Sequence, residues 1–289
     1  METHTIFVSS ENRDTSVYAY GNSYVIPLVT PIREITSVEL LHASIPNSIY
    51  NLTDGTGVFS MSNVITNGLA QNLGDLSTFS LPNGFYGATG LANYITQASS
   101  NVTGVTCNYL QNEGKFLFTR ASTIGPFGFY SNTNELSRMI GFEDSATQTV
   151  IMSSNVAFAG PQDFPLYSDN LLYRNKEFIK SQKVVNLSPN EGIFLDIQEL
   201  RTNFTQDAGS GSANRSFGII PLDVASGSIK RFKQMTDYML EVKYPSPIPK
   251  LDRLTVRWTD RYGSLVSFNG LEDNSFTLKI NTRRVNSCP

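Results

Sequence analysis

Four short runs of this chain alternate apolar and polar residues with a period of two. Val105, Cys107 and Tyr109 alternate with Thr106 and Asn108, and Leu240, Val242 and Tyr244 with Glu241 and Lys243. Leu254, Val256 and Trp258 alternate with Arg253, Thr255 and Arg257, and Phe276, Leu278 and Ile280 with Thr277 and Lys279. Successive side chains of an extended strand point to opposite faces, so this period puts one face in a core and the other in water. The chain is therefore expected to build antiparallel sheets. Further strand-like runs occupy residues 24–29, 115–119, 193–197 and 265–268. Gly, Pro and Asn punctuate them, with Asn-Gly turn signals at Asn67-Gly68, Asn83-Gly84 and Asn269-Gly270.

Residues 35–52 add a second constraint. Val38 and Leu40 share one face of an extended chain, whereas Leu41, Ala43 and Ile45 share the other. A strand changes its apolar face in this way when both faces are covered or when a bulge inserts one residue. Either reading places the strand inside an assembly of sheets. The run breaks at Pro46-Asn47.

Two short helices interrupt the pattern. After Pro82-Asn83-Gly84, Leu91, Ile95 and Ala98 lie on one helical face, with Thr89 as the N-cap. Asn132 stands three residues before Glu135, the spacing of a capping box, and Leu136, Met139 and Ile140 form an apolar stripe. Gly141 is placed to end this helix in the left-handed conformation, with Phe142 closing back onto its last turn. Both helices are read as covers over sheet ends, too short for a membrane or coiled-coil role.

A chain of 289 residues accommodates one large all-β domain or two smaller ones. We expect a single domain over residues 1–289, with terminal arms at residues 1–14 and 282–289 and an inserted excursion near 144–174. A division near residue 145 is the alternative. Residues 207–215 read as a loop.

Charged residues make up only 16% of the chain, below the roughly 25% of an average soluble domain. Part of the surface is then an interface, or Thr and Ser supply its solvated faces. A net charge of −3 gives no field to gather nucleic acid. The basic groups Arg174, Lys176, Lys180 and Lys183; Lys230, Arg231 and Lys233; and Arg283 and Arg284 read as solvated loops or subunit contacts. Cys107 and Cys288 do not make a disulfide framework. The start lacks an apolar signal core and no run approaches 18 apolar residues, so a reducing cytosol is expected and the five Asn-x-Ser/Thr sequons are expected to stay unmodified.

Catalytic and metal-binding patterns are missing from the sequence. His4 and His42 are its two histidines, and no G-x-S-x-G turn accompanies them. Zinc and calcium spacings are absent. The segments Asp54-Gly55-Thr56-Gly57 and Gly209-Ser210-Gly211 lack the Gly-Lys-Ser/Thr ending of a phosphate loop and read as turns. Asp252, Asp260, Glu272 and Asp273 are taken as solvating turns and strand ends. Trp258 precedes the turn sequence Thr259-Asp260-Arg261-Tyr262-Gly263 and is placed on the core side of a hairpin. No catalytic, cofactor-binding or metal residue is therefore expected.

Ten segments, taken in order, carry a resemblance. They are Ser9-Ser10-Glu11-Asn12-Arg13-Asp14; Val38-Glu39-Leu40-Leu41; Ile45-Pro46-Asn47-Ser48-Ile49-Tyr50-Asn51; Leu81-Pro82-Asn83-Gly84-Phe85-Tyr86; Asn112-Glu113-Gly114-Lys115-Phe116; Met139-Ile140-Gly141-Phe142; Leu195-Asp196-Ile197; Leu254-Thr255-Val256-Arg257-Trp258; Ser267-Phe268-Asn269-Gly270; and Ser275-Phe276. Over residues 9–280 the chain resembles the single jelly-roll minor capsid and penton proteins of nucleocytoplasmic large DNA viruses. The resemblance implies an eight-stranded jelly-roll sandwich with elaborated loops. It implies a structural, non-enzymatic protein without cofactors, located in the virion and assembled in the host cytoplasm. The implied partners are the major capsid protein and other minor capsid proteins, with no nucleic acid and no direct membrane insertion. A homo-oligomer is implied, a pentamer if the chain is a penton. Two other readings remain open at this level. One is a carbohydrate- or receptor-binding β-sandwich with Tyr130, Tyr167 and Tyr173 on a rim. The other is a glycoside hydrolase, which needs two carboxylates about 5–10 Å apart.

Overall fold

The computed structural model describes residues 2–53, 56–67, 70–121, 123–125, 127–130, 135–142, 151–152, 176–187, 192–201 and 216–283. Along the chain run β1 (Glu2–Ser9), β2 (Ser23–Pro46), β3 (Val58–Asn67), β4 (Ala70–Ser80), α1 (Ala88–Thr103), β5 (Thr106–Leu110), β6 (Lys115–Ala121) and β7 (Phe127–Tyr130). They are followed by α2 (Glu135–Met139), β8 (Ile151–Met152), β9 (Lys176–Lys180), β10 (Gly192–Ile197), β11 (Gly218–Pro221), β12 (Ile229–Lys233), β13 (Leu240–Thr259) and β14 (Ser275–Thr282). This is the all-β class that the alternation predicts, and it is consistent with the sandwich that the resemblance implies. Contacts divide the chain into two compact units, Met1–Ile49 with Asn190–Pro289, and Tyr50–Pro189. The division falls at 49/50 and 189/190, not near 145. Of the expected excursion at 144–174, only β8 lies within the described residues.

The first unit is built on one antiparallel sheet in the order β1-β14-β2-β13-β10-β11, with β12 added to the end of β2. Val8 of β1 and Ile220 of β11 stand at opposite ends of that order yet belong to one buried cluster, so the sheet curls around its own core. β14 keeps strict alternation, with Phe276, Leu278 and Ile280 buried and Thr277 and Lys279 half-exposed. Opposite it, β2 cannot. Thr277 pairs with His42 but Leu278 pairs with Leu40, which leaves Leu41 as an extra residue. A second irregularity leaves Thr36 extra between Ser37 and Ile35. Each bulge resets the face, so Ile35, Val38, Leu40, Ala43 and Ile45 all reach the core. The face change legible at Leu40/Leu41 is thus a bulge. The opposite face is covered as well, since Ser37 and Glu39 are buried.

Three sequence expectations change here. The alternating runs 240–244 and 254–258 are the two ends of one strand, β13. Residues 265–268 do not form a strand; they contribute a single bridge, Leu265 to Thr259, that closes the Asp260 turn. Residues 2–9 do not hang as an arm. They pair with β14 along their whole length, from Glu2↔Thr282 to Ser9↔Ser275.

The second unit holds a four-stranded sheet, β4-β3-β7-β8, and a three-stranded sheet, β5-β6-β9. Its core collects Phe59, Phe116, Phe118, Phe127 and Phe129 with Leu91, Ile95 and Ile140. Helix α1 is longer than expected and its N-cap is Gly87, which places Thr89 inside the first turn. The reason is that its buried stripe continues past Ala98 through Ser99 and Thr103, two polar residues. Their hydroxyls donate to the carbonyls of Ile95 and Ser99, both at 2.8 Å, which allows them to be buried. The end of α2 matches the sequence reading. Gly141 has φ 91°, its N–H reaches Arg138 O at 3.1 Å, and Phe142 N–H reaches Ser137 O at 2.9 Å. Asn132, the expected cap of α2, lies outside the described residues.

Candidate assembly surfaces

Several of the ionisable side chains singled out from the sequence are held by internal partners. His42 is half-buried in β2; burial, then Lys233 and Arg231, hold its imidazole below the usual histidine value. His4 sits in β1 with its ring nitrogen 3.9 Å from Glu2. Cys107 is buried in β5, and burial pushes its thiol up. Lys230 of the second basic group is buried and bonds Asp223 at 2.8 Å and Asp237 at 2.6 Å. Lys180 of the first group bonds Glu113 at 2.8 Å. Asp260 accepts the N–H groups of Tyr262 and Ser264, Glu272 accepts that of Gly21 at 2.8 Å, and Asp252 pairs with Lys250. Among the described residues no group of three His, Cys, Asp or Glu could hold a metal ion. No described helix is long and apolar enough to cross a membrane. Tyr167, Tyr173, Arg174, Arg284, Cys288 and the side chain of Tyr130 lie outside the described residues.

Trp258 is in the core, as its hairpin predicts, but it does not stand alone. Its indole N–H and the Tyr24 hydroxyl both donate to Asn274 Oδ1 at 2.9 Å. Asn274 Nδ2 donates to the carbonyls of Gly21 at 2.8 Å and Glu272 at 3.1 Å, and its backbone N–H reaches Ser10 Oγ at 2.9 Å. One amide thus joins the start of β2, the end of β13, the start of β14 and the segment after β1. Gly21 is required by this close approach, since a Cβ there would lie 2.1 Å from Glu272 O. Asn274 falls in a loop with no periodic signal, and no sequence feature singled it out.

The margins of the sheets are candidate contact surfaces. An open strand edge carries unpaired N–H and C=O groups and invites pairing with another chain unless it is guarded. On the side away from β2, no described strand pairs with β13 before Val256, and along that stretch it carries Pro245, Pro247 and Pro249. Prolines at every second position remove N–H groups from one side of a strand, and sheets tolerate them only where no partner calls for the bond. Just beyond, Glu199 accepts the Thr255 N–H at 2.8 Å, where β10 has ended. β12 carries Lys230, Arg231 and Lys233 in five positions. β11 is four residues long and ends in Pro221. In the second unit, β5 is the edge of its sheet and α1 closes it. Thr96 Oγ1 accepts the Cys107 N–H at 2.8 Å and donates to the Cys107 carbonyl at 3.0 Å.

β1 has none of these guards. It is eight residues long, pairs with β14 without a bulge, and contains no proline, lysine or arginine. No described strand pairs with its other side. Thr3, Thr5 and Phe7 point away from the core, and Phe7 is 64% exposed. The openness of β1 depends on its pairing with β14, more than 260 positions away, and was not readable.

A family model described as "Family of unknown function (DUF5901)" matches residues 1–170. No curated protein sequence matches the chain. Among solved structures, the chain is similar to the crystal structure of the selenomethionine-labelled mavirus penton protein. The likeness covers 98% of this chain and 100% of that chain, with a TM-score of 0.53 and 7% sequence identity, and is one of fold.

Proposed function

The chain belongs to the DUF5901 family of unknown function, and with no activity attached to that family we propose from its architecture that it is a structural protein of a virus capsid. The observation that carries this reading is the end-to-end likeness to a penton protein, which spans nearly the whole of both chains. The spending of buried charges on internal ion pairs and the low charge content agree with it. In this reading the chain is a penton or minor capsid component of an icosahedral shell of the large DNA virus type. It acts without catalysis or cofactor, and its partners are the major capsid protein, other minor capsid proteins and further copies of itself. Residues 1–289 act as one jelly-roll component that carries residues 50–189 as an insertion between β2 and β10. Its place is the virion, assembled in host cytoplasm.

Mass spectrometry of purified virions tests the reading. The chain is expected among the virion proteins at a fixed ratio to the major capsid protein, and a low-resolution particle map is expected to show it around five-fold axes or beneath the capsomers. A chain missing from virions and strictly monomeric in solution would overturn the proposal.

A further inference from the structure

We propose that β1 is a homotypic docking edge, pairing antiparallel with β1 of a second copy of this chain about Thr5. The occupant follows from the other margins of the same sheet. β13 is blunted by three prolines, β12 by basic residues and β11 by its length and Pro221, so within that sheet the matching unguarded edge on another copy is β1 itself.

The residue pattern of β1 is self-complementary in this register. Position i lies opposite position 10 − i, so Phe7 meets Thr3 of the second copy, Thr5 meets Thr5, and Thr3 meets Phe7 on the exposed face. Aromatic with β-branched and Thr with Thr are favourable cross-strand pairs. Charge selects the same direction. Glu2 is the one carboxylate of β1, and antiparallel pairing puts it opposite Val8. The two Glu2 side chains are then about 20 Å apart at about 3.4 Å per residue, well beyond the Debye length of about 8 Å in physiological salt. Parallel pairing would set them side by side. Joining the edges gives the free N–H and C=O groups of both strands partners and covers Phe7. The inference does not depend on the capsid reading, since a chain that never enters a virion would still pair in this way.

Disulfide trapping in the full chain tests it, in a Cys288→Ser background with the buried Cys107 retained. Opposed residues of antiparallel strands have Cα atoms about 4.5–5.5 Å apart, within disulfide range. Thr5→Cys is expected to give a covalent dimer under mild oxidation at least ten times faster than Val17→Cys, an exposed control in the same unit. A mixture of Thr3→Cys and Phe7→Cys chains is expected to form the mixed dimer in preference to either self-dimer. Adding Phe7→Lys to Thr5→Cys is expected to slow trapping about ten-fold while the Trp258 fluorescence transition stays in place. Trapping of Thr5→Cys no faster than the control, or preferred self-dimers of Thr3→Cys, would overturn the proposal. Absence from virions with efficient Thr5→Cys trapping would sink the capsid reading alone.

Discussion

In the unit formed by residues 1–49 and 190–289, the two largest buried side chains, Trp258 and Tyr24, meet at a single amide, Asn274. In the unit formed by residues 50–189, the largest fully buried side chains are phenylalanines. Phe129 lies 5.0 Å from Phe118 and 4.8 Å from Phe142 between ring centroids, and 6.4 Å from Phe59. The units also treat their margins differently. The first blunts the open side of β13 with prolines, and the second seals β5 with the hydroxyl of Thr96. Hydrogen bonds are directional and fix strands at one position, whereas ring packing depends on volume. The first unit is therefore expected to be sensitive to polarity and the second to volume.

Each unit contains its own reporter. Trp258 is the sole tryptophan and, in a Cys288→Ser background, the buried Cys107 of the second unit is the sole thiol, so fluorescence and thiol labelling follow the two cores separately. The largest effect is expected for Asn274→Leu. It leaves the Trp258 and Tyr24 donors and the Gly21 carbonyl without partners, at about 1–3 kcal/mol each before relaxation, while the Glu272 carbonyl keeps the Ser10 hydroxyl. A loss of about 5 kcal/mol in the fluorescence-detected urea transition is expected. A loss below about 1 kcal/mol would remove the amide from the comparison. Next comes Phe129→Ala, expected to cost about 3–4 kcal/mol by Cys107 labelling, while Phe129→Leu costs about 1 kcal/mol because most of the volume is kept. Equal losses for the two variants would contradict a core governed by volume.

What the sequence disclosed follows the range of the interactions. The alternation of β14, the bulge at Leu41, the glycine end of α2 and the turn after Trp258 are read from neighbours within a few residues, and all four are present, although the turn is closed by a single bridge and not by a second strand. β1 and the Asn274 network are not local. Glu2 pairs with Thr282, and Asn274 binds Ser10 and Tyr24, more than 240 positions away. The continuity of β13 was hidden because Pro245, Pro247 and Pro249 look like a break. They mark an open edge instead, since β2 runs alongside and pairs with Ile248 and Lys250. The polar stripe Ser99 and Thr103 hid the length of α1 for a related reason: their hydroxyls are satisfied by the helix itself.

A smaller effect is expected for Thr96→Val, which keeps the shape but leaves the buried Cys107 N–H without an acceptor, at about 1–2 kcal/mol. Cys107 labelling should accelerate accordingly, and unchanged labelling would mean that α1 does not seal the edge. Acid offers a finer probe of the polar unit. The hydrogen bond from Lys230, then that from the Lys233 backbone, hold the Asp237 carboxyl below its ordinary value of 3.8. A depressed carboxylate adds stability above its unfolded value, and this is lost as pH falls through the folded one. Below about pH 4 the fluorescence-detected midpoint should fall. Asp237→Asn should flatten that dependence, and an unaltered acid slope would exclude this pair as its source.

The smallest change in stability is expected at the open side of β13. Replacing Pro245, Pro247 and Pro249 together by threonine restores three N–H groups to an edge without adding or removing a buried contact, since these positions are exposed or half-exposed. Loss of proline's restraint on the unfolded chain and gain of threonine's strand preference act in opposite directions, so the fluorescence-detected transition should move by no more than about 1 kcal/mol. Association should change instead. The variant is expected to scatter light and form larger species at concentrations where the parent does not, because an unguarded edge pairs with its like. Adding Phe7→Lys separates the two edges. If the new species persist, they arise at β13 and the prolines are guards. If they vanish, β1 alone drives association, and the contrast between a blunted and an open edge within one sheet is lost.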